Sequence, residues 1–141
     1  MSDELDIFTD GGSRGNPGKA ASAFVVYRQN KTVVHQQGKY LGTATNNQAE
    51  YSAVVIALEW LQKNSPGNPK VNFFLDSLLV VNQLKGLFKV KEPDLQQKYL
   101  LIKKLIADSK LTSVNFNHIP RSQNSAADFL VNQTLDNLLE S

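Results

Sequence analysis

Cysteine is absent from the 141 residues, which excludes disulfides and thiolate metal sites. Only two histidines are present, far apart and without a third ligand, so a zinc centre is not expected either. No apolar run approaches the length of about eighteen residues that spans a bilayer, and no membrane role is expected. The N-terminal Met-Ser-Asp-Glu-Leu-Asp is acidic and lacks the apolar stretch of a secretory signal, so the expected location is cytoplasmic. Net charge is also small: 15 Lys and Arg against 13 Asp and Glu leave +2, too little to point to a nucleic-acid partner by itself. Repeats, low-complexity tracts and linkers are missing. With 41% hydrophobic and 20% charged residues, the chain reads as one globular domain, 1–141, burying roughly two-thirds of its unfolded surface.

What the chain does have is four acids at the ends of its regular elements. They occur in Asp10-Gly-Gly-Ser-Arg-Gly-Asn-Pro-Gly18, Thr45-Asn-Asn-Gln-Ala-Glu50, Asp76-Ser77 and His118-Ile-Pro-Arg-Ser-Gln-Asn-Ser-Ala-Ala-Asp128. These segments are glycine- and amide-rich, the composition of a site facing water. Each acid has a plain structural alternative. Asn47-Gln-Ala-Glu50 and Ser125-Ala-Ala-Asp128 both have the form of a helix capping box, and Asp10 before Gly11-Gly12 suits a turn. Four such coincidences at one sheet edge favour a site, because crowded carboxylates resist ionisation unless cations neutralise them. A phosphate-cradling P-loop ending at Lys19 is excluded: it would need Gly where Ser13 stands and Ser or Thr where Ala20 stands, and the loop does not lead into a helix.

The remaining pattern gives the fold. Asp6 to Thr9, Ala23 to Arg28 and Thr32 to Leu41 read as an antiparallel meander. Ala49, Ala53, Ile56, Ala57, Trp60 and Leu61 form a helical stripe that ends at Ser65-Pro-Gly-Asn-Pro69, placing Glu50 in the first turn. Val71 to Leu75 is a short apolar run of the buried-strand kind, with Asp76 at its carboxyl end. Leu79, Val80 and Leu84 suggest a brief helix ending near Gly86. Leu95, Tyr99, Ile102 and Ile106 mark another, Val114 to Ile119 a last strand, and Ala127, Leu130, Val131, Leu135 and Leu138 a closing helix. The order β-β-β-α-β-α-α-β-α implies an α/β fold: a mixed five-stranded sheet with right-handed crossovers and helices on both faces. Ligands of such sheets bind beyond the carboxyl ends of the parallel strands, where Asp10 and Asp76 are expected. If the first and fourth strands are neighbours, all four acids can meet within the span of two cations roughly 3.5–4 Å apart.

In order and spacing, these motifs resemble type 1 ribonuclease H over nearly the whole chain, from Phe8 to Asp128. The resemblance implies the ribonuclease H-like fold. It also implies a metal-dependent endonuclease that hydrolyses the RNA strand of an RNA/DNA hybrid with two Mg²⁺ ions, Mn²⁺ being the substitute, and leaves 5′-phosphate and 3′-hydroxyl ends. The family's metal-binding acids map onto Asp10, Glu50, Asp76 and Asp128, with Asp10 the bridge between ions. His118, ten residues before Asp128, matches a histidine associated with proton transfer or product release, although it is also in phase with Val114 and Phe116 on its strand. Arg121 suits a phosphate. Substrate contacts implied by the match are Gly11, Gly12, Asn16, Asn46, Asn47 and Gln48, with Thr45 toward the DNA backbone. Asn124 also matches, either as a contact or as a cap of the last helix. Uncharged amides can read minor-groove edges and 2′-hydroxyls without depending on base sequence.

Two departures stand out. Leu78 replaces the usual glutamine after Asp76-Ser77, and the Lys85 to Leu95 segment is too short for the basic protrusion of some members. No separate hybrid-binding domain and no obligate protein partner are expected, and binding should be salt-sensitive. The lysines from Lys85 to Lys110 read first as a solvated face. The readings from other classes are a non-catalytic hybrid-binding module and another nuclease of the superfamily, such as a resolvase or transposase.

Overall fold

The computed structural model describes residues 4–64 and 67–139. Its elements are β1 (Glu4–Arg14), β2 (Gly18–Arg28), β3 (Val33–Ala44), α1 (Asn46–Asn64), β4 (Lys70–Leu75), α2 (Leu78–Leu84), α3 (Pro93–Asp108), β5 (Ser113–His118), a 3-10 turn at Arg121–Gln123, and α4 (Ser125–Leu139). The five strands form one sheet in the order β3-β2-β1-β4-β5. β1 pairs antiparallel with β2 and parallel with β4, and β4 pairs parallel with β5. The expected mixed sheet is therefore present, and the first and fourth strands are neighbours.

α1 is buried on more than its predicted stripe: Tyr51, Val54, Val55 and Leu58 join Ala49, Ala53, Ile56, Ala57 and Leu61 in the interior. The reason is its place in the main core, which it shares with Ile7, Phe24, Phe73 and Phe116 of the sheet and with Leu95 and Ile102 of α3. Each such large apolar side chain contributes roughly 1.5–3 kcal/mol on burial. The opposite face carries a smaller core, Ala21 and Ala23 of β2 against Val131 and Leu135 of α4. Alanines there bring α4 close to β2, and this places α4's first turn beside the ends of β1 and β4. Ser65, Pro66 and the Leu138 side chain, parts of two expected helix boundaries, lie outside the described residues.

Two of the boundaries that differ from expectation shape the site. The glycine-rich segment is mostly strand: Asp10 to Arg14 continue β1 and pair with Lys19 to Ala23, so the turn shrinks to Gly15–Pro17. Gly11 is in the strand for a steric reason, since a Cβ there would run into the backbone of Ala49 and Glu50. Gly15, at φ +90°, makes the turn itself. α1 begins at Asn46, three residues before the expected Ala49, because Thr45 and Gln48 form a reciprocal capping box. The Gln48 N–H donates to Thr45 Oγ1 (3.1 Å) and the Thr45 N–H to Gln48 Oε1 (2.9 Å). Glu50 therefore lies beyond the first turn, and the box proposed for Asn47 and Glu50 is not the one that forms.

Candidate active site

The chain's strands and helices deliver the four acids from three directions. Asp10 is on β1 opposite Ala23, Asp76 directly follows β4, Glu50 faces out of α1, and Asp128 sits in the first turn of α4. Oxygens of Asp10, Glu50 and Asp76 all lie within 4.8 Å of one another. Asp128 lines the same cleft, a cavity of about 440 Å³ whose walls also include Gly11, Gly12, Asn46, Asn47, Ser77 and Arg121. A larger opening of about 790 Å³, walled by Leu61, Gly67, Asn68 and Asp108 to Leu111, brings together no comparable set of acids.

Asp10 and Glu50 are each only 6% exposed, and burying a carboxylate is unfavourable unless something compensates. Burial is the main cause that pushes the Asp10 carboxyl up to about 7, and repulsion from Asp76 and Asp128 adds to it. Glu50 is raised well above the usual range, chiefly by burial and then by Asp10. Glu50 Oε1 accepts the Gly11 N–H at 3.1 Å, but Oε2 is buried with no hydrogen-bond partner. Such a set of hard oxygen donors, like-charged and partly unsatisfied, fits a divalent cation.

The expected substrate contacts divide into two groups. Asn47 and Arg121 line the cleft, and Asn47 has no side-chain hydrogen bond among the described residues. Gly12 opens on the cleft as well. Others are already engaged in holding the cleft's wall together. Asn46 Oδ1 accepts from the N–H and Oγ of Ser13 (2.9 and 3.1 Å), while the Asn46 N–H donates to Asn16 Oδ1 at 3.0 Å. These bonds fasten the β1–β2 hairpin to the start of α1. Gln48 has its oxygen in the capping box and donates through Nε2 to Asp94 Oδ2 at 3.0 Å, which ties α1 to the first turn of α3. Thr45 Oγ1 is the other half of that box.

His118 ends β5 and is exposed, so its strand phase with Val114 and Phe116 does not bury it; it is not among the residues lining the cleft. Asn124, by contrast, is 1% exposed and turned inward. No hydrogen bond joins the Ser125 and Asp128 side chains among the described residues; the α4 start is instead fixed by the Asp128 N–H donating to the Asn124 carbonyl at 3.1 Å. Sequence reasoning passed over Arg14 and Asn132, which also wall the cleft. Arg14 pairs with Asp136 at 2.7 Å and reaches Asn132 at 3.4 Å. The i, i+4 spacing of Asp128, Asn132 and Asp136 is the signal that could have found that face.

A family model described as reverse transcriptase-like matches residues 8–134. The chain is 38% identical over 132 residues to a ribonuclease HI of Halobacterium salinarum, spanning 94% of this chain and 64% of that protein. It is also 38% identical over 136 residues to a bifunctional protein of Mycobacterium tuberculosis, of which it covers 36%. The chain thus spans only part of the length of these curated relatives. Among solved structures it superposes on LC11-RNase H1, crystallised in complex with an RNA/DNA hybrid, with a TM-score of 0.92 and 39% identity, covering 96% of this chain and 99% of that one. With the same mixed sheet, the same order of elements and this extent of identity, the chain belongs to the type 1 ribonuclease H family.

Proposed function

We propose that this chain forms one catalytic domain that hydrolyses the RNA strand of RNA/DNA hybrids, leaving 5′-phosphate and 3′-hydroxyl ends. The observation that carries the reading is the meeting of Asp10, Glu50 and Asp76 within 4.8 Å, with Asp128 in the wall of the same cleft, in a chain that covers nearly all of a relative solved with a hybrid.

In this reaction a water oxygen bonds to phosphorus, the P–O3′ bond breaks, and the departing 3′ oxygen takes up a proton. Mg²⁺, or Mn²⁺ in its place, supplies activation of that water and neutralisation of the leaving oxygen when bound. Asp10, Glu50, Asp76 and Asp128 are the residues that would hold the ions, two in number on this reading, and Asp10 is the most central. The unpartnered Glu50 Oε2 and the raised Asp10 carboxyl support that assignment, since both are relieved by a cation.

The other side chains orient the substrate. Arg121 on the cleft wall offers a guanidinium fork to a phosphate, and Asn47 offers a free amide to minor-groove edges and 2′-hydroxyls. Asn16, Asn46, Thr45 and Gln48 fix the start of α1, from which Asn47 projects. His118, exposed at the end of β5 and outside the cleft lining, is the residue we assign to proton transfer or product release. The test is cleavage of a labelled hybrid by purified protein with Mg²⁺, Mn²⁺ or EDTA, beside single-stranded RNA and duplex DNA. Metal-dependent cutting of the hybrid's RNA strand alone is expected. Binding without cutting under every metal would make the chain a hybrid-binding module, and cutting of duplex DNA would move it to another nuclease class.

A further inference from the structure

Asn124 connects three of the four acids. Its Nδ2 donates to Asp76 Oδ2 at 2.9 Å and to the carbonyl of Thr9, the residue before Asp10, also at 2.9 Å. Its own backbone carbonyl accepts the Asp128 N–H at 3.1 Å. Asp76, β1 at Asp10 and the first turn of α4 are therefore fastened to one side chain and its peptide. The amide orientation is fixed by its surroundings, because both neighbours of Nδ2 are acceptors. That orientation leaves Oδ1 buried and unpartnered. A residue chosen only to fill this place would be apolar, or would have both amide ends satisfied. The 1% exposure also removes Asn124 from direct contact with a hybrid.

We infer that Asn124 is a positioning residue for the metal site: it holds the Asp76 carboxylate in a ligating orientation and sets the spacing of Asp76, Asp10 and Asp128, in place of touching the substrate. The inference rests on the metal-site reading above. A hydrogen bond from a neighbour restricts which way a carboxylate can turn, and loss of such an outer partner lowers metal affinity by about 10–100-fold. Asp76 has only this side-chain donor among the described residues, so its rotation depends on Asn124.

The test is calorimetric titration of metal-free protein with Mn²⁺, wild type beside Asn124→Ala, at a temperature where both are folded. Hybrid binding in EDTA and steady-state cleavage are measured on the same samples. The expected result is Mn²⁺ binding weakened by about tenfold, unchanged hybrid affinity in EDTA, and a lower kcat at fixed metal that recovers as Mn²⁺ is raised, with KM for the hybrid unchanged. Weaker hybrid binding with unaltered Mn²⁺ affinity would overturn the inference in favour of a substrate contact. A lower melting temperature with unaltered Mn²⁺ affinity and kcat would overturn it in favour of a structural clip. Wild-type protein that binds no Mn²⁺ would bring down the metal-site reading itself, an outcome visible before any variant is compared. Should Asn124→Ala fail to fold, the Asn124 side-chain amide protons can be followed by NMR in the wild type. They are expected to be protected from exchange and to shift on addition of Mg²⁺, and unmoved resonances at saturating Mg²⁺ would overturn the inference.

Discussion

Asp6 and Asp10 stand on the same face of the same strand, four residues apart, with Phe8 between them, and they meet opposite surroundings. Asp6 faces an amide ladder that runs across three strands in register. Asn72 Nδ2 donates to Asp6 Oδ1 at 2.9 Å and to Glu4 Oε2 at 2.8 Å, Asn115 donates to Asn72 Oδ1 at 2.6 Å, and Asn117 to Asn115 Oδ1 at 2.6 Å. Asp10 faces other carboxylates and is pushed up to about 7. Both residues began as acids on a strand, and what differs is whether the neighbours supply donors. A satisfied polar cluster contributes to the fold, whereas an unsatisfied one destabilises the metal-free protein and persists where a ligand completes it. The contrast supports the proposal that the end of β1 near Asp10 is the working end.

The largest break in that contrast comes from Asp10→Asn. It removes one charge at nearly constant volume, so cleavage of a hybrid is expected to fall by at least roughly a thousandfold, about 4 kcal/mol of transition-state stabilisation. Hybrid binding should survive. The same change should raise the melting temperature of metal-free protein by roughly 5 °C, because it relieves like-charge crowding at a buried position. Retained turnover in the pure variant would contradict the metal assignment.

The pH dependence sharpens the comparison from the other side. Between the ordinary carboxylate value of 3.8 and about 7, folded Asp10 still binds a proton that the unfolded chain has lost, and Glu50 is shifted in the same direction. Stability therefore falls as pH rises through this window. Denaturant melts of metal-free protein should lose roughly 1–3 kcal/mol from pH 4 to pH 7.5 against the Asp10→Asn variant measured in parallel. Saturating Mg²⁺ at pH 7.5 should recover stability in the wild type and not in the variant. His118→Ala comes next in size. Exposed and outside the crowded group, His118 should matter to turnover by roughly tenfold, and a rate unchanged across pH would remove it from the mechanism.

How much of this was legible in the sequence follows from the range of the forces involved. Periodicity reports burial, so the element order could be read from apolar spacing, whereas the neighbouring of β1 and β4 stood as a condition that the sheet order meets. What could not be read depends on contacts between distant segments. Gly11 and Gly12 look like a turn until Ala49 is known to lie against Gly11. Asn47-Gln-Ala-Glu50 has the letters of a capping box, but Thr45 one position before the helix makes a better one with Gln48 and frees Glu50. Asn124 reads as a substrate contact or a cap of the last helix, and only its reach to Thr9 and Asp76, 115 and 48 residues away in sequence, turns it inward.

The smallest expected effect is also the control for the whole comparison. Asn72→Ala leaves Asp6 and Glu4 without the amide that serves both and strips Asn115 of its acceptor. Breaking a half-buried polar ladder of this kind costs about 1–2 kcal/mol, a shift in the urea midpoint that equilibrium melts resolve. Phe74 is two positions beyond Asn72 and Asp76 two beyond Phe74, and the stacked Phe8–Phe74 pair, with centroids 4.8 Å apart, stands between the ladder and the acids. Cleavage by the folded variant should therefore match wild type. If Asn72→Ala instead reduced turnover while Mn²⁺ affinity held, the two ends of β1 would be coupled through the aromatic pair, and the division between a satisfied structural end and an unsatisfied working end would not hold.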